Sequence, residues 1–363
     1  WSRIWQVLNQ RFIEVAGHSN VHVGRYAIDS LRQLVSKFLD KDEQSNSDVH
    51  AQLLGTFEVV MLRTPGPSAD VKELIVSSIA NIVQVQFTKI KSGWKSVLRI
   101  VQAAAREADN KAVHKSAFDI VNKVVFGKDI DANESPYNKE FTQVFQDHLG
   151  DGIDTLVALA NGEAHKQSLR AIEYLLQTME HLAGSKGADL CNYNGTQPPA
   201  GGASGSHLPT THFFVILRGL ASLVSDSRQD VRSTALSSVF YSLRDHGGAA
   251  FSEDTWRAVF REVVKPLFEE VLRQLQQGDH AMDPIISKVI LRGVRELRTE
   301  HFADYLPEIF PMLCRLVSVE SREIRLVVQD ILTNQVAPLV AGGKALPAPG
   351  AQPADVPGAR GRQ

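Results

Sequence analysis

The sequence contains few of the residues that build disulfide frameworks, metal centres or membrane spans. It has only two cysteines, Cys191 and Cys314, among 363 residues. Two cysteines are too few for a disulfide framework or a cysteine-rich zinc site, so we interpret both as reduced thiols of a cytoplasmic protein. There is no run of about eighteen apolar residues and no charged-then-apolar stretch at the N-terminus, which argues against a transmembrane helix and a secretory signal.

An excess of charge of one sign is also missing. The formal net charge is -2 and the isoelectric point is about 6.7. Proteins that bind nucleic acid usually carry a basic surface that neutralises phosphates. We therefore predict no nucleic-acid partner, and electrostatics gives no reason for direct binding to an anionic membrane.

Familiar catalytic and cofactor motifs are missing as well. The sequence has no GxGxxG, GxxxxGK[ST], HExxH, CxxC or GxSxG pattern. His18 and His22 have the spacing of two metal ligands, but Gly17, Ser19 and Asn20 place them at a helix boundary without an evident third ligand. We interpret them as solvated histidines, and we predict no catalytic residue, no cofactor and no metal site in this chain.

What the sequence does contain is a series of amphipathic helices, of which residues 20–40 give the clearest example. Apolar residues recur there at three- and four-residue steps, which places on one helix face Val23, Ala27, Leu31, Leu34, Val35 and Phe38. Asn20 occupies the position of an N-cap. The predicted solvent-exposed face of this helix consists of the intervening polar residues Asp29, Arg32, Gln33 and Lys37.

Helices of the same kind recur along the chain. In the first of them the inner side consists of Ile4, Trp5, Leu8, Phe12 and Val15 or Ala16. The stretch 70–90 has an apolar face formed by Val71, Leu74, Ile75, Ile79, Ile82, Val83 and Val85. The predicted helices form pairs, and the second helices of the pairs begin near Val23, Val71, Val113, Lys166, Val231, Ile285 and Ile324. These starts are mostly about 40 to 50 residues apart, which is the period of HEAT and armadillo-like repeats. No strand pattern of useful length occurs, so we predict an all-α fold, a HEAT/armadillo-like helical-repeat superhelix.

Glycine and proline indicate where these helices end. We expect Gly150–Gly152 to interrupt the helix over residues 141–160, and Gly247-Gly248 to end the helix over residues 230–246. Pro266 lies inside a later helix, where we expect a kink rather than a stop.

Composition divides the chain into four parts. We predict N-terminal helical repeats over residues 1–183, a flexible Gly/Ser/Pro-rich loop over 184–211, C-terminal helical repeats over 212–340, and a disordered Pro/Ala/Gly-rich tail over 341–363. The chain begins at Trp1, already within a helical pattern, so we expect it to be part of a longer protein.

Candidates for contact with a partner protein are Asp29, Arg32, Gln33, Lys37, Lys91, Trp94 and Lys95. An exposed tryptophan often dominates an interface. A tryptophan in the first turn of a repeat helix also packs against the preceding helix, so both interpretations of Trp94 stay open. The polar residues of the 20–40 stretch form either a recognition ridge or a solvated face with i,i+3 and i,i+4 pairs.

Several stretches, in order, resemble one protein family. The specific ones are YAIDSLRQL at 26–34, KFL at 37–39, FE at 57–58 with Met61, and IKSGWK at 90–95 with Ala103-Ala104. A later, weaker block consists of Ser227, Arg228, Val231, Arg232, Ala235, Leu236, Phe240, Gly247, Phe251, Trp256 and Phe260. Together they resemble the region downstream of the Sec-seven catalytic domain in the large Arf guanine-nucleotide exchange factors, especially the brefeldin-A-inhibited subgroup. Gly55 and Thr56 depart from the family pattern, which has Arg or Lys followed by Pro.

This resemblance implies a regulatory role rather than a catalytic one. In the family, nucleotide exchange is carried by the separate Sec-seven domain, which no part of this chain resembles, so no catalytic residue is carried over. The resemblance implies a helical region that mediates protein–protein contacts in Golgi and endosomal vesicle traffic. These contacts would serve autoinhibition, membrane recruitment by small GTPases and dimerisation.

The partners implied by the resemblance are small GTPases of the Arf or Rab type, other domains of the parent protein and a second copy of the chain. The implied location is cytoplasmic, peripheral on Golgi and trans-Golgi network membranes through those partners. The alternative is a HEAT-repeat scaffold or transport adaptor without an exchange domain, such as a karyopherin-like carrier. A Sec-seven domain upstream of Trp1 would distinguish the two.

Overall fold

The computed structural model describes residues 2–39, 48–64, 66–107, 110–127, 140–184, 207–250, 253–276, 299–318 and 322–341. Within these ranges the regular structure is helical, without strands. The chain forms two compact units, Trp1–Gly219 and Leu220–Gln363. None of the described helices is both long enough and apolar enough to cross a membrane.

The first unit contains a series of described helices, the last of which ends just past the unit's limit at Gly219. They are α1 Ser2–Ala16, α2 Val21–Leu39, α3 Val49–Leu62, α4 Ala69–Gln86, α5 Trp94–Ala105, α6 Lys111–Phe126, α7 Gln143–Asp147, α8 Leu149–Ala160, α9 His165–Ala183 and α10 His207–Ser222. A 3-10 turn, Phe87–Lys89, follows α4.

These helices alternate between two layers. Layer 1 is formed by α1, α3, α5 and α8, which pack side by side, and layer 2 is formed in the same way by α2, α4 and α6. Helix α9 continues layer 2, because the ring of its Tyr174 stacks on Phe118 of α6. Helices of the two layers also pair along the chain, α1 with α2, α5 with α6 and α8 with α9. Stacked antiparallel pairs are the arrangement of HEAT and armadillo repeats, so the prediction of an all-α helical-repeat fold is confirmed.

Hydrogen bonds within one layer join residues about one repeat apart. In layer 1, Thr56 Oγ1 of α3 donates to Asn9 Oδ1 of α1 at 2.9 Å, across 47 residues of sequence. In layer 2, Gln86 Nε2 of α4 donates to the Ser36 carbonyl of α2 at 3.1 Å, across 50 residues. Each helix therefore meets its counterpart in the next pair at the interval that the sequence predicts.

Helix α2 shows how the sequence builds one of these elements. Asn20 Oδ1 accepts a hydrogen bond from the His22 N–H at 3.0 Å, which confirms the N-cap. Its buried residues are Gly24, Ala27, Ile28, Leu31, Val35 and Leu39. The buried stripe is thus rotated from the predicted one, since Val23, Leu34 and Phe38 are only half-buried. The reason is that α2 packs against α1, α3 and α4 together, and these neighbours set the buried direction.

The predicted inner side of α1 is wrong in part. Trp5 and Ala16 are each 2% exposed, as expected for a core face, but Ile4 is 64% and Leu8 is 39% exposed. Helix α1 packs against α2 and α3, and no other described helix covers the side that carries Ile4 and Leu8.

The second unit contains α11 Gln229–Ala250, α12 Glu253–Val259, α13 Lys265–Gln276, α14 Thr299–Val317, α15 Arg322–Ile331 and α16 Ala337–Ala341. Helix α14 packs against both α13 and α15. A π-helical turn, Phe260–Val264, joins α12 to α13, and a second one, Leu332–Val336, joins α15 to α16.

Both π turns lie just before a proline. Pro266 and Pro338 each follow the last residue of a π turn by two positions. Proline lacks an N–H and its ring collides with the carbonyl four residues back, so it strains a regular α-helix. In a π turn, an N–H group donates to the carbonyl five residues back, as the Lys265 N–H does to the Phe260 carbonyl. This pattern changes the positions of the carbonyls that precede the proline. Pro266 therefore lies inside a continuous helix, and the deformation predicted there takes the form of a π turn.

Two helix limits predicted from glycine are wrong. The break between α7 and α8 falls at His148, whose φ of -117° and ψ of 34° are not helical, whereas Gly150–Gly152 lie within α8. Gly152 serves packing instead, since a Cβ there would lie 2.6 Å from the ring of Phe145. Helix α11 also continues through Gly247-Gly248. A glycine weakens a helix by about 1 kcal/mol without forbidding it.

The loop predicted over 184–211 ends earlier than expected, because α10 begins at His207. Pro209 lies in the first turn of α10, where the missing N–H has no intrahelical acceptor anyway. The rest of that loop, the helix predicted near Ile285 and the tail from residue 342 lie outside the described residues. The predicted domain limits stay predictions.

Candidate interaction surface

The polar residues of α2 form a hydrogen-bonded group on the surface of layer 2. Arg32 donates to Asp29 Oδ1 through Nε at 3.0 Å and Nη2 at 2.7 Å, and Gln33 Nε2 donates to Asp29 Oδ2 at 2.7 Å. The hydrogen bond from Arg32, followed by that from Gln33, holds the pKa of Asp29 below its usual value, although burial acts in the opposite direction. Asp29 therefore stays ionised and its charge is balanced locally.

Lys37 is separate from this group. It is exposed in the last turn of α2, where a cation complements the helix dipole, and it has no ion pair within the described ranges. Tyr26, 75% exposed, lies on the same side of α2 as Gln33 and Lys37, because the spacings of seven and four residues bring them into one stripe.

The segment before α5 caps another helix. Ser92 Oγ accepts a hydrogen bond from the Ala51 N–H in the first turn of α3 at 3.0 Å, and the Lys91 N–H donates to His50 Nδ1 at 3.3 Å. The side chain of Asp48, the residue before α3, does not make a capping hydrogen bond. Ser92 thus supplies from the next repeat the acceptor that an N-cap residue usually provides.

Trp94 is a core residue, which corrects its selection as a partner contact. Its side chain is 2% exposed, and its ring centroid lies 5.1 Å from that of Phe87 in a tilted arrangement. The alternative interpretation, packing against the preceding helix, accounts for this burial. The adjacent Lys91 and Lys95 are exposed.

The seven residues selected from the sequence do not form one site. Asp29, Arg32, Gln33 and Lys37 belong to layer 2, whereas Trp94 and Lys95 belong to layer 1. No hydrogen bond or ion pair between described residues joins the two groups. The α2 residues and the lysines near α5 are therefore separate candidate contacts.

Sequence reasoning also missed an exposed residue of α4. Val85 was assigned to the apolar face but is 72% exposed. At about 100° per residue, Val85 lies roughly a quarter-turn from the middle of the buried stripe of α4, so its side chain reaches the surface.

The described residues offer no metal centre. They contain no group of three or more histidine, cysteine, aspartate or glutamate side chains arranged to hold an ion. His18 Nδ1 accepts a hydrogen bond from the Asn20 N–H at 3.0 Å, so this ring stabilises the turn between α1 and α2.

Two parts of the chain match protein families. Residues 37–123 match the family described as Mon2/Sec7/BIG1-like, HDS, and residues 228–333 match the BIG2 C-terminal domain. The first match covers the end of α2 through most of α6, and the second covers α11 to the second π turn.

Several similar proteins are much longer than this chain. It is 31% identical over 300 residues to brefeldin A-inhibited guanine nucleotide-exchange protein 1 of Arabidopsis thaliana, which covers 78% of this chain and 17% of that protein. It is 28% identical over 282 residues to the human protein of the same name, covering 77% and 14%. It is 27% identical over 288 residues to the ADP-ribosylation factor guanine nucleotide-exchange factor SEC7 of Saccharomyces cerevisiae, covering 74% and 13%. The chain thus spans less than a fifth of each relative.

Among solved structures, a designed armadillo repeat protein matches 80% of this chain and all of its own, with 13% identity and a TM-score of 0.32. This likeness is too distant to bear on function.

Proposed function

Because this chain belongs to the family of the brefeldin A-inhibited guanine nucleotide-exchange proteins, we propose that it is a regulatory, non-catalytic part of a larger exchange factor for Arf GTPases. The observation that carries the proposal is the pair of family matches, residues 37–123 and 228–333. One description names an HDS region and the other a C-terminal domain, and both stretches occur in one chain.

The proposed mode of action is binding along the helix surfaces. A stack of helix pairs exposes long surfaces that suit contact with other proteins. The partners that we propose are Arf- or Rab-type GTPases, other domains of the parent protein and a second copy of the chain. Through them the region would restrain exchange, recruit the parent protein to Golgi and endosomal membranes, and support dimerisation.

The test is an exchange assay in trans. The rate of GDP release from Arf is measured with the exchange domain of a relative and increasing amounts of this chain. The proposal predicts that the chain changes the rate by about fivefold or more, which is the lower end of typical coupling between sites.

The control is an unrelated helical-repeat protein at the same concentrations, which should leave the release rate unchanged. A release rate that is equally unaffected by this chain contradicts the regulatory proposal. That result favours the alternative, a scaffold or transport adaptor that acts without an exchange domain.

A further inference from the structure

Exposed apolar side chains are concentrated on the first helix pair, α1 and α2. Four of the ten large apolar side chains that are exposed in the described ranges lie on these two helices. They are Ile4, Val7, Leu8 and Tyr26, with exposed fractions of 64%, 68%, 39% and 75%. Single exposed apolar residues are ordinary on a protein surface, so the placement of these four on the stack decides what they mean.

The exposed apolar residues of α1 lie on the side away from α3. Thr56 Oγ1 of α3 donates to Asn9 Oδ1, which places Asn9 on the side of α1 that meets α3. At about 100° per residue, Ile4 lies about 140° and Val7 about 160° from Asn9 around the axis of α1. Leu8 follows Ile4 by four positions and is therefore its neighbour on the helix surface. This apolar stripe continues the stack on the side that no described helix of layer 1 covers.

Tyr26 occupies the corresponding side of α2. A Cβ on Gly24 would lie 3.1 Å from Cγ2 of Val71, so Gly24 faces α4. Tyr26 comes two residues later and is rotated from Gly24 by about 200° around the axis of α2, which places it away from α4. The exposed apolar side chains of both helices thus lie at the same end of the stack. This surface, called the end face below, is formed by Ile4, Val7, Leu8 and Tyr26.

Nearby polar residues leave the end face suited to apolar contact. Arg11, four positions after Val7, forms an ion pair with Glu14 at 2.6 Å, so its charge is balanced within α1. The residues that join α2 to α3, 40–47, have the sequence DKDEQSNS and contain no apolar side chain. They therefore have nothing with which to cover the end face by apolar packing.

The inner helices of the stack show what such a face is for. In layer 1, α3 packs against α1 on one side and α5 on the other, and in layer 2, α4 packs in the same way between α2 and α6. A terminal pair of a helical-repeat stack usually has a polar outer side, because no neighbour shields that side from water. The end face is apolar instead, which is the character of a side that stacks on another pair.

We propose that the end face is covered by a further helix pair of the larger protein, which stacks on α1 and α2 as α3 and α4 do on the opposite side. This inference rests on the proposed function, in which the chain is part of a larger exchange factor. The chain spans less than a fifth of each relative, so a protein of that length has ample residues for such a pair. The facing helix presents apolar side chains at three- and four-residue steps, which fit between Ile4, Val7 and Leu8.

The test measures how quickly a cysteine on the end face reacts with N-ethylmaleimide. Val7→Cys is introduced into this chain and into the full-length natural protein, and mass spectrometry of the peptide that carries residue 7 gives the rate without lipid present. We expect the reaction to be at least about tenfold slower in the full-length protein, because the thiol reacts only when the stacked pair opens. Equal rates in the two proteins overturn the proposal.

Matched controls are Val85→Cys on α4 and Val59→Cys on α3, which are exposed positions outside the end face, 72% and 48% exposed. Each should react at the same rate in this chain and in the full-length protein. Circular dichroism checks that the variants fold. A full-length protein in which all three cysteines are slowed alike has no specific cover on the end face, and this result contradicts the proposal.

The isolated chain distinguishes other occupants of the end face. In dilute solution, Val7→Cys should react about as quickly as Val85→Cys, since the two positions are similarly exposed. A slow reaction would mean that another part of this chain covers the end face. A rate that falls as the chain is concentrated would mean that a second copy covers it, and either result contradicts the proposal.

A second substitution tests whether apolar contact holds the stacked pair. In the full-length protein, Ile4→Ser should speed the reaction of Val7→Cys by about tenfold, because it removes buried apolar area from the contact. The control is Leu62→Ser on α3, 52% exposed and outside the end face, which should leave the rate unchanged. If Ile4→Ser has no more effect than the control, the stacking described here is wrong.

The proposed function fails or stands separately. If Val7→Cys reacts equally in both proteins but this chain still changes Arf exchange in trans, this inference falls and the regulatory role stands. If Val7→Cys is protected in the full-length protein but the chain has no effect on exchange, the stacked pair stands and the regulatory role falls.

Discussion

Gly93 is the residue that most constrains the junction between α3 and α5. Its φ is +92°, and a Cβ there would lie 2.9 Å from Leu54 Cδ1 and 3.0 Å from Ala51 Cα. A Gly93→Ala substitution adds backbone strain and a collision with α3. We predict that it lowers the free energy of unfolding by about 2 to 4 kcal/mol, measured by urea denaturation.

Gly55, in the middle of α3, supplies the matched control. A Cβ at Gly55 meets its nearest atom, Ser96 Oγ, at 3.7 Å, an ordinary contact distance. Gly55→Ala should therefore stabilise the protein by about 0.5 to 1 kcal/mol, because alanine loses less backbone entropy in a helix. Effects of the same sign at Gly93 and Gly55 would contradict this account of the junction.

Asp226 links stability of the second unit to pH. Burial tends to raise its pKa, but the hydrogen bonds from the Arg228 side chain and N–H, together with the positive charges of Arg228 and Arg232, outweigh it, so the pKa lies below the usual 3.8. A carboxylate whose pKa is lowered by folding stabilises the protein above its unfolded-state pKa and loses that contribution as pH falls through the folded-state value.

Replacing Asp226 with Asn should therefore cost stability at neutral pH and much less in acid. The charge-assisted hydrogen bonds predict a loss of about 1 to 3 kcal/mol at neutral pH. The measurement is urea unfolding of both proteins from neutral pH down to below the folded-state pKa. A difference that stays constant over this range would show that the carboxylate charge is not responsible.

At the scale of elements, one buried hydrogen bond joins α6 and α9. Tyr174 Oη donates to Asn122 Oδ1 at 2.6 Å, and the two residues are 0% and 5% exposed. Burial also raises the pKa of Tyr174, so the phenol stays protonated and able to donate. Tyr174→Phe leaves a buried acceptor without its donor and should cost about 1 to 3 kcal/mol in urea unfolding. Tyr26→Phe, at a position 75% exposed, should change stability little.

At two helices the start is set by a local cap. Asn20 caps α2, and Asn110 Oδ1 accepts from the N–H groups of Ala112 and Val113 at the start of α6. These caps are local, so the sequence around them is sufficient. Glycine is a less reliable signal of a helix end. Gly152 lies inside α8, where the lack of a Cβ makes room for the ring of Phe145, and this close approach depends on tertiary packing.

The IKSGWK stretch shows the same limit for a candidate site. Its spacing resembles a family signature, yet Ser92 caps α3, Gly93 fits against α3 and Trp94 is buried. The signature therefore has a structural explanation. Only the placement of α3 against α5 reveals it, since a single sequence does not state which helix a turn will meet.

At the scale of the whole molecule, the interval between repeats was the strongest signal. It predicted the pairing of helices, and hydrogen bonds across 47 and 50 residues confirm that interval in the first unit. The candidate contacts were less predictable, because the α2 and α5 residues share a polar character but belong to different layers. The exposure of Val85 depended on how far α4 rotates against α2, which no local pattern fixes.

The central claim is that this chain acts by binding and does not itself catalyse exchange. Its most direct test is the release of fluorescent GDP from Arf by the purified chain alone, with the exchange domain of a relative as the positive control. The account predicts a release rate equal to the spontaneous rate at every concentration of the chain. A rate that rises in proportion to the concentration of the chain would contradict it.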